Sequence, residues 1–421
     1  MLSRTFQALE DRSYRYFFLG FGFSTTANWM RRATVAWLVY AITGSEAKLG
    51  AVAAAAMAPM LLLSPLAGAI ADRIDRRRLL LLSLLLTTIA TATLAAILAF
   101  GTIQVWHVFA VAIFGGAAFA LEVPTRHALV ADLAGERNLG NAIALNSAVL
   151  NLSRIIGPLL AGFLMATRGM AAALLVSALC SLAMALLLLP VRLPPRRAAP
   201  ASQEATSTTV RAALGTARRE PRVFAVLSLL FFVGTFGLAY EPLLAPLAKD
   251  ILGAGELRYG ALSAQFGIGA ILGALLLARY GPTTNRRRLL FGGAGILLVG
   301  LLALSVSHQF GTMATSLLIA GFGVSIFLST GNTLVQTAVA DSIRGRIMGL
   351  WALTFGASLP LGALISGFVA EGTSPAIALR TSAVILAIAA LWLWRRLPPR
   401  PTVTPRRGKE DCRLEPPDTL Q

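Results

Sequence analysis

Charge is scarce in this 421-residue chain: Asp, Glu, Lys and Arg make up 13% of it, against 56% hydrophobic residues. With a mean hydropathy of +0.71, a soluble globular fold is excluded, because the surface of such a domain needs far more charge. A bilayer has to be the solvent. Cysteine is almost absent. Cys180 sits in an apolar run and Cys412 in a polar, basic tail, which excludes a disulfide framework. The three histidines, His107, His127 and His308, stand singly, and no Cys/His spacing suits a metal ion. Nor does any nucleophile-base constellation or phosphate-binding loop occur, which speaks against an enzyme.

What charge there is falls in short arginine clusters, since lysine is limited to Lys48, Lys249 and Lys409. Arg73, Arg76, Arg77 and Arg78 form one cluster, Arg192 to Arg219 a second, Arg286, Arg287 and Arg288 a third, and Arg395 opens a fourth. The loops between them on alternate sides carry little charge, which is the pattern left when Lys and Arg are retained on the cytoplasmic side of a membrane. The formal net charge of +18 therefore does not point to nucleic acid. The clusters are separated by hydrophobic spans and lack interleaved aromatics.

Apolar stretches of about 20 residues, each long enough to cross a bilayer, number twelve, in two sets of six. The first apolar run, Tyr14 to Tyr40, is too long for a signal-peptide core and ends without a small-residue cleavage pattern, so it reads as a retained membrane helix. The spacing predicts an all-α integral membrane protein. A six-helix bundle covers 1–190, a cytoplasmic linker 191–221, a second bundle 222–397 and a disordered basic tail 398–421. The linker and tail, rich in Pro, Ser, Thr and Arg, have no apolar face to bury. An even number of spans places both termini in the cytoplasm.

The two halves repeat. RRRLL occurs from Arg76 and again from Arg286. VADLAGERNLG from Val130 answers VADSIRGRIMG from Val339, and GPLLAGF from Gly157 answers GALISGF from Gly362. All three pairs keep nearly the same separation and order, the signature of a duplicated transporter.

The loop after the second span reads Gly68-Ala-Ile-Ala-Asp72-Arg73-Ile-Asp75-Arg76-Arg77, a G-x-x-x-D-R-x-x-R-R pattern. It resembles the signature loop between helices 2 and 3 of the major facilitator superfamily. The resemblance implies two six-helix bundles and a cytoplasmic gate in which Arg73 pairs an acid at the end of helix 4, a position Asp132 fills here. The second-half copy, Gly281-Pro282-Thr283-Thr284-Asn285-Arg286, lacks the aspartate. Trp37 to Ser45, Glu122-Val-Pro124-Thr-Arg126, and Asn146 through Gly162 narrow the resemblance to the branch of enterobactin and macrolide exporters. That branch implies proton-driven export of a small organic molecule, including drugs, without a cofactor. A nickel exporter of the related family would be expected to carry a histidine-rich tail, which is missing.

Ionisable groups at bilayer depth are costly unless they face a cavity or a partner, so each is a candidate. Glu122 and Arg126 are four residues apart on one face of helix 4, with Pro124 between them loosening the backbone. The pair reads either as a proton-coupling site or as a static brace. Arg154 lies near mid-depth in helix 5, positioned to hold an anionic substrate or to pair with Glu122. Arg31 and Arg32 point about 100° apart, so one of them, Arg32, is expected to face the pathway. Glu241, between Tyr240 and Pro242, is a second candidate carboxylate, while Lys249 and Asp250 read as loop charges. Gly157, Pro158 and Gly162 fit part of the antiporter motif of drug exporters, or simple packing against a Gly267, Gly269 and Gly273 stripe on helix 8. Trp29, Trp37 and Phe236 carry no specific signal.

The sequence thus points to a monomeric exporter in a bacterial cytoplasmic membrane, driven by the proton gradient and working by alternating access, with its coupling chemistry in the first half. A facilitator or importer on the same fold is the alternative.

Overall fold

The computed structural model describes residues 6–191, 214–215, 217–281 and 284–396, with the side chains of 64–73, 136, 341 and 342 outside that description. It is all α. Twelve long helices run through the described residues: α1 Arg12–Thr43, α2 Glu46–Arg73, α3 Arg76–Phe100, α4 Val105–Gly135, α5 Arg137–Arg168 and α6 Met170–Leu188. The second set is α7 Pro221–Ile251, α8 Glu256–Tyr280, α9 Arg286–Ser305, α10 Phe310–Ala338, α11 Asp341–Gly372 and α12 Pro375–Arg396. Eleven of them are long and apolar enough to cross a membrane. The exception is α1, which is 32 residues long and carries Arg31 and Arg32 in its interior. Most of the 191–221 linker and nearly all of the tail lie outside the described residues.

Local sequence sets the helix ends. Asp75 accepts a hydrogen bond from Arg78 N at 2.9 Å and caps α3, and Asn285 does the same for α9 from Arg287 N at 2.9 Å. The duplicated RRRLL runs therefore each begin behind a capping side chain. Gly44 closes α1 in the left-handed region with φ 59°, and Gly135, with φ 64°, breaks the chain between α4 and α5.

The arginines after each cap bind the ends of other helices. Arg77 Nε donates to Leu188 O at 3.1 Å, and a second nitrogen donates to Leu189 O. Its counterpart Arg287 donates to Trp394 O at 2.5 Å. Each places a cation on carbonyls at the C-terminal end of the last helix of its bundle, α6 or α12.

α7 is not a regular helix. Two π-helical turns, Val233–Gly237 and Leu247–Ile251, flank the α-helical piece Tyr240–Pro246. Pro242 has no N–H to give the Leu238 carbonyl, and its ring crowds that carbonyl. The backbone widens instead, and Leu238 N reaches Val233 O at 3.1 Å. The break turns Glu241 toward the first bundle.

Two seams join the bundles, α5 against α8 and α2 against α11. In each seam backbone meets backbone. A Cβ on Gly162 would stand 2.6 Å from Glu256 O and 2.9 Å from Gly260 Cα, and one on Gly367 would stand 2.6 Å from Glu46 O and 3.1 Å from Gly50 Cα. Only glycine permits such an approach. Glu46 to Gly50 and Glu256 to Gly260 are thus a further repeat, E-x-x-x-G, related by the same duplication.

The helix 8 stripe does not act as a unit. Gly267 faces Ile155 and Arg154 of α5, whereas Gly269 and Gly273 face Leu318 and Phe322 of α10. Positions two apart point to opposite sides of a helix, so a G-x-G run cannot serve one neighbour. Gly157 packs on Trp29 and Thr26 of α1 rather than on α8.

Candidate functional site

Between the bundles lies a cavity of about 510 Å³. α1 supplies one wall through Thr25, Trp29, Arg32 and Ala36, which share a helix face at spacings of four, three and four. Facing it are Glu122 and Arg126 of α4, Arg154 of α5, Glu241 of α7, Tyr259 of α8 and Phe355 of α11. The structure brings Glu122, Arg126, Arg154, Glu241 and Arg32 to one space. A smaller chamber of about 140 Å³ adjoins it, sharing Asn28, Arg32 and Glu241 and lined also by Arg31 and Val35. The 100° between Arg31 and Arg32 is met by two chambers: Arg32 lines both, and Arg31 lines the smaller one.

Glu122 is buried and paired. Arg126 donates to its Oε1 at 3.1 Å, and Ser24 Oγ donates to the same oxygen at 3.3 Å. The Arg126 guanidinium lies over the Phe21 ring, 4.8 Å from its centroid. Arg154 does not reach Glu122. It lies over the Trp29 indole at 4.9 Å, and Arg32 lies over the same ring at 5.2 Å. Arg32 also bridges the bundles, donating to Glu241 Oε1 from Nε at 3.2 Å and from a terminal nitrogen at 2.5 Å. Trp29 has no signal in the sequence alone, because an aromatic in an apolar helix is usually core or lipid-facing. Its arginine neighbours come from two helices and are visible only in the fold.

Beyond the cavity, at the end away from the arginine clusters, polar bonds add to the glycine seams. Trp37 Nε1 donates to Glu256 at 3.3 Å, the Tyr40 hydroxyl donates to Asp250, and Ala47 N donates to Glu371 at 3.1 Å. Lys249 lies over the Tyr40 ring at 5.5 Å. Lys249 and Asp250 are therefore part of a bridge between bundles rather than loop charges. These contacts tie the two bundles together at this end of the cavity.

At the arginine-rich end the bond between helices 3 and 4 is Arg76 to Asp132, at 2.6 Å. The resemblance assigned Asp132 to Arg73. Among the described side chains its partner is Arg76, three residues further on and the first residue of α3. The side chains of Gly68, Asp72 and Arg73 lie outside the description. In the second half Arg286, the counterpart of Arg76, donates to the Thr337 hydroxyl at 3.1 Å instead. Among the described residues no group of three or more His, Cys, Asp or Glu is placed to hold a metal ion.

Comparison with known proteins fits this architecture. A family described as transmembrane secretion effector, one of the major facilitator families, matches residues 3–406. The staphyloferrin A transporter of Staphylococcus aureus is 27% identical over 361 residues, 85% of this chain and 89% of that protein. The multidrug efflux pump Tap of Mycolicibacterium fortuitum is 26% identical, over 85% of this chain and 90% of the pump. Macrolide efflux protein A of Streptococcus pyogenes is 22% identical, over 78% and 82%. Among solved structures, a bacterial homologue of the lysosomal transporter Spinster, in an inward-facing, unoccupied conformation, superposes with a TM-score of 0.75 at 16% identity. That match covers 91% of this chain and 97% of the other, and it supports the fold alone.

Proposed function

We propose that this chain, which belongs to the transmembrane secretion effector family of the major facilitator superfamily, exports small organic molecules in exchange for protons by alternating access. It is a multi-pass membrane transporter and not an enzyme. Export is supported by relatives named as efflux pumps. The arginine clusters favour a bacterial cytoplasmic membrane with both termini and the arginine-rich end inside. On that orientation the glycine seams close the outer face, and the cavity serves cargo arriving from the cytoplasm. The protein acts as a monomer, without cofactor, on the energy of the proton gradient.

The observation that carries the coupling is the Arg32 to Glu241 ion pair, 2.5 Å long and made between bundles. Rocking the bundles apart on the outer side separates the two groups. Glu241 then faces the outside without its cation and takes a proton. Return to the inward-open state restores the pair and expels the proton inward. Glu122, held by Arg126 within one bundle, is the second coupling carboxylate, switched when cargo displaces Arg126. Asp132 and Arg76 belong to the inner gate, with Asp72 and Arg73 in the same motif.

Flux of a fluorescent drug into or out of liposomes, with and without an imposed proton gradient, tests this reading. Wild type is expected to follow the gradient, and Glu241→Gln and Glu122→Gln to lose that dependence. Gradient-independent flux in the wild type indicates a facilitator, in which both pairs are structural. Unchanged coupling in either variant removes that carboxylate from the mechanism.

A further inference from the structure

Four guanidinium groups line the two chambers against two carboxylates. Arg126 is matched by Glu122 and Arg32 by Glu241. Arg154 and Arg31 are not matched. Arg31 donates to Asn28 Oδ1 at 2.8 Å, and Arg154 makes neither an ion pair nor a hydrogen bond among the described residues. A cation held at bilayer depth without a counter-ion is unfavourable, and the imbalance persists only where function uses it.

The setting of Arg154 keeps its guanidinium in the cavity. Gly267 of α8 makes room for its stem, since a Cβ there would lie 3.2 Å from Arg154 Cγ. The Trp29 ring supports the guanidinium at 4.9 Å. With no hydrogen bond or ion pair among the described residues, its N–H groups remain able to donate, and a guanidinium takes a carboxylate through two such groups at once. Close by, Trp29, Phe266 and Phe355 give flat apolar walls, and the Tyr240, Tyr259 and Ser263 side chains border the same space.

We infer that the cargo is an organic anion, a ring-bearing carboxylate whose acid group binds Arg154 while its ring lies among the aromatic walls. This rests on reading the cavity as the cargo path. Arg31, in the side chamber, offers a second positive centre to a cargo with more than one acid group. An anion moving out and a proton moving in both carry positive charge inward, so the membrane potential drives the two together.

Fluorescein and rhodamine 6G share a ring frame, but one carries a free carboxylate and the other is an esterified cation. Fluorescence anisotropy of each against the full chain in nanodiscs tests the inference. Fluorescein is expected to bind at least about tenfold more tightly. Arg154→Gln is expected to lose about tenfold of that affinity and Arg154→Lys to lose less, with rhodamine 6G binding unreduced in both. Equal or tighter binding of rhodamine 6G to the wild type, or fluorescein binding unchanged in Arg154→Gln, overturns the anion site. If Arg154→Gln does not fold, the two wild-type affinities decide. Proton-driven export of rhodamine 6G with no fluorescein binding removes the anion site and leaves the exporter standing. Fluorescein binding without gradient-driven flux of either dye does the reverse.

Discussion

Arg32 of α1 and Glu241 of α7 meet at 2.5 Å although 209 residues separate them. On the proposed cycle the pair is a latch, made while the bundles lean together on the side away from the arginine clusters and lost when they part. Arg32→Met keeps most of the side-chain stem and removes the charge. In a chain whose native cysteines are replaced, a cysteine at Ala36 is expected to react with an impermeant maleimide from outside at least about fivefold faster in this variant, a shift of about 1 kcal/mol in the opening equilibrium. An unchanged labelling rate argues that the glycine seams alone hold the outer side shut.

Glu122 and Arg126 make a different kind of pair, buried within one bundle, with side chains 8% and 11% exposed. Removing one partner leaves the other as an uncompensated buried charge. Arg126→Leu is expected to destabilise the protein by about 3 kcal/mol, and adding Glu122→Gln to recover most of the loss. Thermal unfolding of the single and double variants in detergent measures both.

Valine at Gly162 is expected to abolish transport, because its Cβ would run into the Glu256 carbonyl and the Gly260 backbone. Valine at Gly367, on the other seam, is expected to do the same through Glu46 and Gly50. Neither clash arises once the bundles part on that side, so membrane yield should fall little while flux falls at least about tenfold. Normal flux in Gly162→Val means that the seam is not a contact of the working cycle.

Asp132→Asn is expected to change stability by about 1 kcal/mol or less, since the Arg76 and Asp132 side chains are 22% and 33% exposed and water screens them. A larger loss in thermal unfolding would show that the pair holds α3 to α4 structurally.

Much of this was legible in the sequence, for definite physical reasons. Apolar length gives the spans, arginine placement gives alternate sides, and the Glu122 to Arg126 spacing gives a pair on one helix face. What escaped depends on contacts between helices. Arg73 ends α2 and Arg76 opens α3, and nothing local says which side of that short turn reaches Asp132; among the described side chains it is Arg76. Trp29 gains its role from an arginine on α5, more than a hundred residues away. The π-helical turns around Glu241 follow from Pro242, which was visible, but widening the helix rather than breaking it is a choice made by packing. The E-x-x-x-G repeat of α2 and α8 was readable from the duplication and is easily lost among small residues.

The closest approaches in the two glycine seams are main chain against main chain. Side chains on the cavity wall take little part in them, so substitutions there can accumulate without disturbing how the halves fit. Such a joint is permissive to evolution. One moving frame can be handed from cargo to cargo by changing its lining, and family members that share the frame can diverge widely in what they carry.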